Sequence, residues 1–509
     1  GDAQGRYRLT AAALGRILRR RTQAEAQRLA KAVREENSVY LEARDFFRGA
    51  GLAVFARGDV LLLQAAAGAA PPGLAPLAGP DHTFMARLVA NRRPTAAEVD
   101  AAAAAAADAY NRQLRQRIAF LMVVEPPDAS VYQRIAAVQA ETGLQIVLIS
   151  HAAIHRSLGD GTISAALHMA LRRARGELNA GLLAGPIFDP LDFFNRQDWL
   201  ANLTARLAAG QTLLLAGPPQ IGKSSLAWQA VQALTDHIVA YARVDSRDAA
   251  GSALGRDLVA GLLADGARKY PQIEWPLRNA EGTSGSVAAA MQQIDALIES
   301  LRSQTAAPRL ALIIDDLNEG GQAAWQAWQT AAAARPEIGL LGILQGQGQG
   351  DWRPEPPLLP FTLAETAAAT AILAAQSHVT LAPEGVIETL HSQSGGHPLL
   401  VRQIFGLAAT PVSPAAGGEG MLDAAHIFAA AAAHIRISPL YGRWWQGWSE
   451  AERGLLLALA GGETPGPDLA PAAAALTAWG WIEPAERGHR IVAQALADWV
   501  RWAILLTAA

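Results

Sequence analysis

The sequence predicts a multidomain α/β protein centred on a parallel sheet that holds a phosphate-bearing ligand. Three observations predict it. The chain has 509 residues, 51% of them hydrophobic, which is too many for one core and suggests about three or four domains. The stretch QTLLLAGPPQIGKSS (Gln211 to Ser225) runs from an apolar strand into a glycine-bounded loop with the spacing Gly217-x-x-x-x-Gly222-Lys223-Ser224, the pattern of a P-loop. On both sides of it, short apolar runs alternate with helix-forming segments, as parallel sheets require.

Composition narrows the function. A net charge of -3 gives no global argument for nucleic acid or an anionic membrane. The absence of cysteine excludes disulfides and thiolate metal sites. No uncharged apolar run of ~18 residues occurs, and the start, GDAQGRYRLT, lacks an apolar targeting segment. The expectation is a soluble, cytoplasmic protein with no membrane partner. Because the chain opens on Gly1 rather than methionine, residues are expected to be missing upstream.

Residues 1–180 read as an N-terminal α/β module. A helix over residues 9–36 carries Arg19, Arg20 and Arg21, a solvated face or a local anion contact. A second helix, LEARDFFRGAG, precedes a hairpin, LAVFARGDVLLLQ, turning at Arg57-Gly58-Asp59. A Pro/Gly/Ala-rich loop and an alanine-dominated helix around Ala101 to Ala107 follow. Then IAFLMVV, DASVYQRIAAVQAETG and LQIVLIS form a parallel strand-helix-strand unit. This order resembles restriction-endonuclease-like folds, which implies a carboxylate pair with a lysine. Asp59 matches the first carboxylate, but the strand after it supplies neither partner, so an inactive module is expected. His151, His155 and His168 lack a carboxylate nearby in sequence and read as surface or core histidines. All 13 tryptophans lie at Trp199 or later, which supports a boundary near residue 185.

In the P-loop, Gly217 and Gly222 permit close phosphate approach, with Pro218, Pro219, Gln220 and Ile221 forming the loop between them. Lys223 reaches the β- and γ-phosphates, the Ser224 hydroxyl ligates Mg²⁺, and Ser225 follows in the same turn. The helix SSLAWQAVQAL directs its N-terminal partial positive charge at the anion. Only three of the 43 basic residues are lysine, so a lysine retained here is informative. Downstream, HIVAYARVDS gives a strand and MQQIDALIESLRS a helix. RLALIIDDL reads as a Walker B strand, Asp315 ordering Mg²⁺ and Asp316 polarising the attacking water.

The segment FFNRQDWLANL resembles the hydrophobic-x-Gly-Arg-Glu segment that precedes the P-loop in STAND and related AAA+ ATPases. Arg196 matches the arginine, whereas Asn195 stands for glycine and Gln197 for glutamate. The resemblance implies an ASCE/AAA+-type P-loop NTPase domain over 186–358, a helical lid over 359–435 and a winged helix over 436–509. It places Arg196 at the adenine end of ATP or ADP, Gln345 as a sensor of the γ-phosphate, and Pro398, from Gly395-Gly396-His397-Pro398, over the base. WIEP and HRIV would be the two strands of the wing; no arginine presents itself clearly as a finger acting in trans, with Arg335 and Arg353 named only as candidates. The implied function is a slow Mg²⁺-dependent ATPase switch that self-associates or engages a signalling protein, in bacterial signalling or defence against phage. A DNA-associated ATPase and a nucleotide-bound scaffold without turnover are the alternatives. From Tyr441 to Ala509 there are five basic against seven acidic residues, so nucleic acid is not favoured there.

Overall fold

The computed structural model describes residues 39–57, 60–65, 83–89, 93–110, 118–175, 186–244, 252–270, 273, 286–302, 308–318, 321–344, 356–412, 420–486 and 488–507. Asp59, Arg19 to Arg21, Gln345 and Arg353 lie outside them.

A helix over residues 39–49 (α1) leads into β1 (Leu52–Arg57) and β2 (Val60–Ala65), paired antiparallel as expected. β3 (Thr83–Val89) then pairs antiparallel with β2 and parallel with the next strand. This strand, TFMARLV, is absent from the sequence reading. It changes the role of α2 (Ala96–Tyr110), the alanine-rich helix, which becomes the crossover between the parallel strands β3 and β4 (Ile118–Val123). Its buried alanines, Ala102 and Ala106, let it lie close on the sheet. α3 (Ala129–Thr142) is capped by Asp128, which accepts from Ser130 N and Val131 N, and ends at Gly143. β5 (Gln145–Ser150), α4 (His151–Asp160) and α5 (Ile163–Ala174) complete a sheet of order β1-β2-β3-β4-β5. Every residue of β4 and β5 is buried, because α1, α4 and α5 cover one face and α2 and α3 the other.

The second sheet follows α6 (Gln197–Ala208) and comprises β6 (Thr212–Leu215), β7 (Ile238–Arg243), β8 (Leu310–Leu317) and β9 (Ile338–Leu344), joined by α7 (Lys223–Ala233), α8 (Ser252–Lys269), α9 (Val287–Arg302) and α10 (Gln322–Ala333). All its pairings are parallel, in the order β6-β9-β8-β7. The P-loop strand β6 and the acidic strand β8 therefore flank β9, and their carboxyl ends open on the same edge of the sheet.

The remainder is helical: α11 (Leu363–Gln376), α12 (Val386–Ser394), α13 (Pro398–Val412), α14 (Ala424–Ile437), α15 (Leu440–Gly447), α16 (Glu450–Gly461), α17 (Ala470–Ala478) and α18 (Gln494–Thr507). Two short pairings punctuate it. β10 (Thr380–Leu381) runs parallel to β11 (Met421–Leu422), and β12 (Ile482–Ala485) forms an antiparallel hairpin with β13 (Gly488–Ile491), where WIEP and HRIV predicted two strands. One continuous core runs from Phe361 to Val500.

A short segment joins the three units. Pro190–Asp192 form one turn of 3₁₀ helix, and its side chains diverge: Leu191 enters the core of the first sheet, Phe193 that of the second, and Phe194 that of the helical unit. Between them Asp192 is buried, its Oδ2 accepting from Arg173 Nη2 at 2.7 Å, while its carbonyl accepts from Arg402 Nη1 at 2.6 Å. Arg173 also reaches Asp189 at 3.2 Å. Gln376 donates to Leu191 O and to Tyr132 OH.

Candidate functional site

The strand β6 ends in a loop whose backbone explains its glycines. Gly217 has φ 152° and Gly222 φ 102°, a region that side chains avoid. A Cβ on Gly217 would sit 2.6 Å from Leu358 O, because Leu358 N donates to Ala216 O and lays that strand of chain across the loop. Gln220 takes φ 60°, so the loop bends sharply before α7.

Lys223 opens α7 and is buried. Its Nζ donates to Gly217 O at 2.8 Å and to Pro218 O at 2.9 Å. Burial pushes its pKa down to about 8, while Asp315 and Asp316 pull the other way. A buried ammonium at a helix start with no side-chain cap makes an anion cradle. Ser224 is half-buried beside it. Ser225 faces the other way, its Oγ accepting from Ile187 N at 2.9 Å, and so ties α7 to the joining segment.

The acidic pair ends β8. Asp315 is buried; its Oδ2 accepts from the Tyr241 hydroxyl and its Oδ1 from Asp316 N at 2.8 Å. These bonds fix the carboxylate's orientation. Asp316 departs from the strand: its φ is 60°, and the pairing of β8 with β9 shifts register between Ile314 and Leu317. This bulge leaves the Asp316 side chain half-buried, 3.8 Å from Arg243. Burial and the adjacent Asp315 push its pKa up, which suits a proton acceptor. The residues present fit a nucleotide with Mg²⁺: Lys223 for the phosphates, Ser224 and the oriented Asp315 for the ion. When bound, Mg²⁺ would neutralise phosphate charge.

Arg196 lies where the second sheet meets the helical unit. Its guanidinium donates to Leu359 O and stacks 4.8 Å from the Phe361 ring centroid. Asn195 Nδ2 donates to Glu365 O at 2.5 Å. Both residues have positive φ, 59° and 65°, so asparagine, the residue most tolerant of that region after glycine, occupies the position.

Two residues that sequence reasoning did not assign hold the P-loop from outside. Pro398 starts α13, and His397 before it is fully enclosed, its Nε2 donating to Pro219 O at 3.1 Å. Burial drives its pKa down to about 4, with the Pro219 bond opposing, so the ring is neutral. Its Nδ1 has no partner among the described residues. The ring lies 4.8 Å from Trp444 and 5.7 Å from Trp481, stacked on the latter. Trp444 Nε1 donates to Gln220 Oε1 at 3.0 Å. The Gly395-Gly396-His397-Pro398 step and the tryptophan enrichment were both visible in the sequence; that they converge on Pro219 and Gln220 was not.

Arg335 forms a two-pronged pair with Asp295, at 2.6 and 2.7 Å, and lies just before β9, at the sheet's amino edge. The histidine reading changes: Glu42, 109 residues from His151, brings a carboxylate to His151 and His155.

Residues 193–343 match the family model described as an AAA ATPase domain. Among solved structures, the chain is similar to a Walker-type ATPase of Pyrococcus abyssi, with 15% identity and a TM-score of 0.47 over 64% of this chain and 100% of that one. No curated protein matches it. No helix among the described residues is long and apolar enough to cross a membrane. The P-loop, the acidic strand end and the matched model make the middle of this chain a P-loop ATPase domain of the AAA type.

Proposed function

We propose that this chain is a nucleotide-controlled switch of the STAND type, a slow ATPase whose helical lid and C-terminal winged helix close over the P-loop. The observation that carries this reading is the hold on the loop itself. Pro219 and Gln220, central to the phosphate cradle, are bonded to His397 and Trp444 from the helical unit, and Lys223 is satisfied by loop carbonyls. A polyphosphate drawing Lys223 away from those carbonyls reshapes the loop, and the reshaped loop strains both external bonds. Nucleotide thereby acquires the differential affinity for closed and open states that a switch requires. Arg196, seated on Leu359 and Phe361, lies at the hinge of that movement. Slow turnover is supported by Asp316, whose short side chain is turned towards Arg243.

In this reading the N-terminal module is a restriction-endonuclease-like fold without nuclease chemistry, coupled to the lid through Arg173, Asp192 and Arg402. Its output is self-association or capture of a signalling partner. Light scattering of the full chain with ADP, ATP and a slowly hydrolysed ATP analogue, beside Lys223→Ala, tests this. A larger species formed with triphosphate by the wild type alone is expected. An identical mass in every state overturns assembly as the output.

A further inference from the structure

The N-terminal sheet gathers its own polar cluster at the carboxyl end of β5. The strand ends at Ser150, whose Oγ caps α4 by accepting from Ala153 N, so the first turn of that helix is fixed in direction. His151 is the first residue of the helix and His155 stands one turn on, so both rings share a face. Their centroids are 5.9 Å apart. α1 crosses this face and delivers Glu42, whose Oε2 lies 2.9 Å from His151 Nε2 and 2.8 Å from His155 Nδ1. The three ligand atoms lie within 4.8 Å of one another.

One carboxylate oxygen facing two imidazole nitrogens is more than packing α1 on α4 requires, since a single histidine would satisfy Glu42. Side-chain exposures of 25, 23 and 35% for Glu42, His151 and His155 leave an approach from solvent. The helix N-terminus disfavours a cation beside His151, and the Glu42 charge offsets it.

We propose that Glu42, His151 and His155 form a zinc-type divalent metal site with an open fourth position. Histidines at i and i+4 on one helix face, completed by a carboxylate from elsewhere, are a spacing that tetrahedral zinc accepts. At metal–ligand distances of about 2.0–2.1 Å, neighbouring ligand atoms stand about 3.3 Å apart. Oε2 would withdraw by about 0.5 Å from each nitrogen to admit the ion, a movement within side-chain rotation. Two imidazoles with one carboxylate select zinc over Mg²⁺ or Ca²⁺, which prefer oxygen alone. A set of three protein ligands leaves room for water, as in sites that act on a substrate rather than closed structural ones. Its place at the carboxyl edge of parallel strands is where open α/β sheets receive ligands.

The test uses the full chain, freed of metal by chelation and without nucleotide, titrated with Zn²⁺ against a chromophoric chelator; Co²⁺ reports geometry by its visible absorption. One equivalent of Zn²⁺ and a tetrahedral Co²⁺ spectrum are expected. His151→Ala and His155→Ala should each weaken binding by about 100-fold or more. Glu42→Gln, which keeps hydrogen-bonding capacity, should lose affinity without lowering the metal-free melting temperature, so the loss is not one of folding. Lys223→Ala should bind as the wild type does. Failure of the wild type to bind micromolar Zn²⁺, equal binding by all variants, or loss of binding in Lys223→Ala would each overturn the assignment.

Discussion

Two short stretches of this chain are each contacted by parts distant in sequence, and they are held in opposite ways. The joining segment around Leu191 to Phe194 places three apolar side chains in three cores and buries Asp192 between Arg173 and Arg402. Among the described residues, the helical unit holds the P-loop by two single hydrogen bonds, from His397 and from Trp444. The first arrangement cannot open without exposing apolar surface and unpairing a buried charge, which costs several kcal/mol. The second costs about 1 kcal/mol per bond. In the proposed switch, this difference makes the joining segment the fixed pivot and the P-loop contacts the part that yields to nucleotide.

The strongest way to break this comparison is at the pivot. Asp192→Leu removes the closer, buried carboxylate from Arg173 and leaves it Asp189 at 3.2 Å; it should lower stability by about 3 kcal/mol, read as a shift of the urea midpoint of the full chain. An unchanged midpoint would deny the segment its role. At the P-loop, Lys223→Ala should reduce ATP hydrolysis by about 100-fold or more, read as phosphate release, while the pivot and the fold persist by circular dichroism.

Acid sharpens the contrast next. The His397 ring titrates near 4 in the folded chain and at about 6.5 when unfolded. Between those values the unfolded state binds the extra proton, so stability falls as pH drops from about 6.5 towards 4. The wild type should lose about 2 kcal/mol from this ring between pH 7 and 5, and His397→Gln should lack that share of the slope in urea titrations at the two pH values. The smallest effect on nucleotide belongs to Trp444→Phe, which removes one bond to Gln220 and trims a buried ring. ADP affinity should change by about fivefold in calorimetric titration, and the urea midpoint should fall through the lost buried volume.

How much of this was legible depended on distance along the chain. Gly217, Gly222, Lys223 and Ser224 lie within one loop and its helix, so their spacing carries their chemistry, and Asp315-Asp316 close a single apolar strand. The left-handed backbone at Asn195 and Arg196 makes the asparagine a conservative departure from glycine, which only the dihedral angles reveal. β3 escaped because TFMARLV follows a proline-rich stretch and carries Arg87, without strict alternation. The apposition of Trp444 to Gln220 spans 224 residues, and that of Glu42 to His151 spans 109. Such pairings depend on how whole units pack, which no local pattern encodes. The charge count over residues 441–509 and the P-loop spacing are sums over residues; the hold on the loop is a property of the fold.

Because the chain has no cysteine, distances can be measured between two introduced labels without background. Ala323 on α10 and Ala451 on α16 are exposed, one on the ATPase domain and one on the helical unit. Spin labels on an Ala323→Cys, Ala451→Cys variant, read by pulsed electron–electron resonance, should give one narrow distance with ADP. A longer or broadened distribution is expected with a slowly hydrolysed ATP analogue, and no such change when Lys223→Ala is added. The same narrow distance under ADP and triphosphate would contradict a nucleotide-driven release of the P-loop.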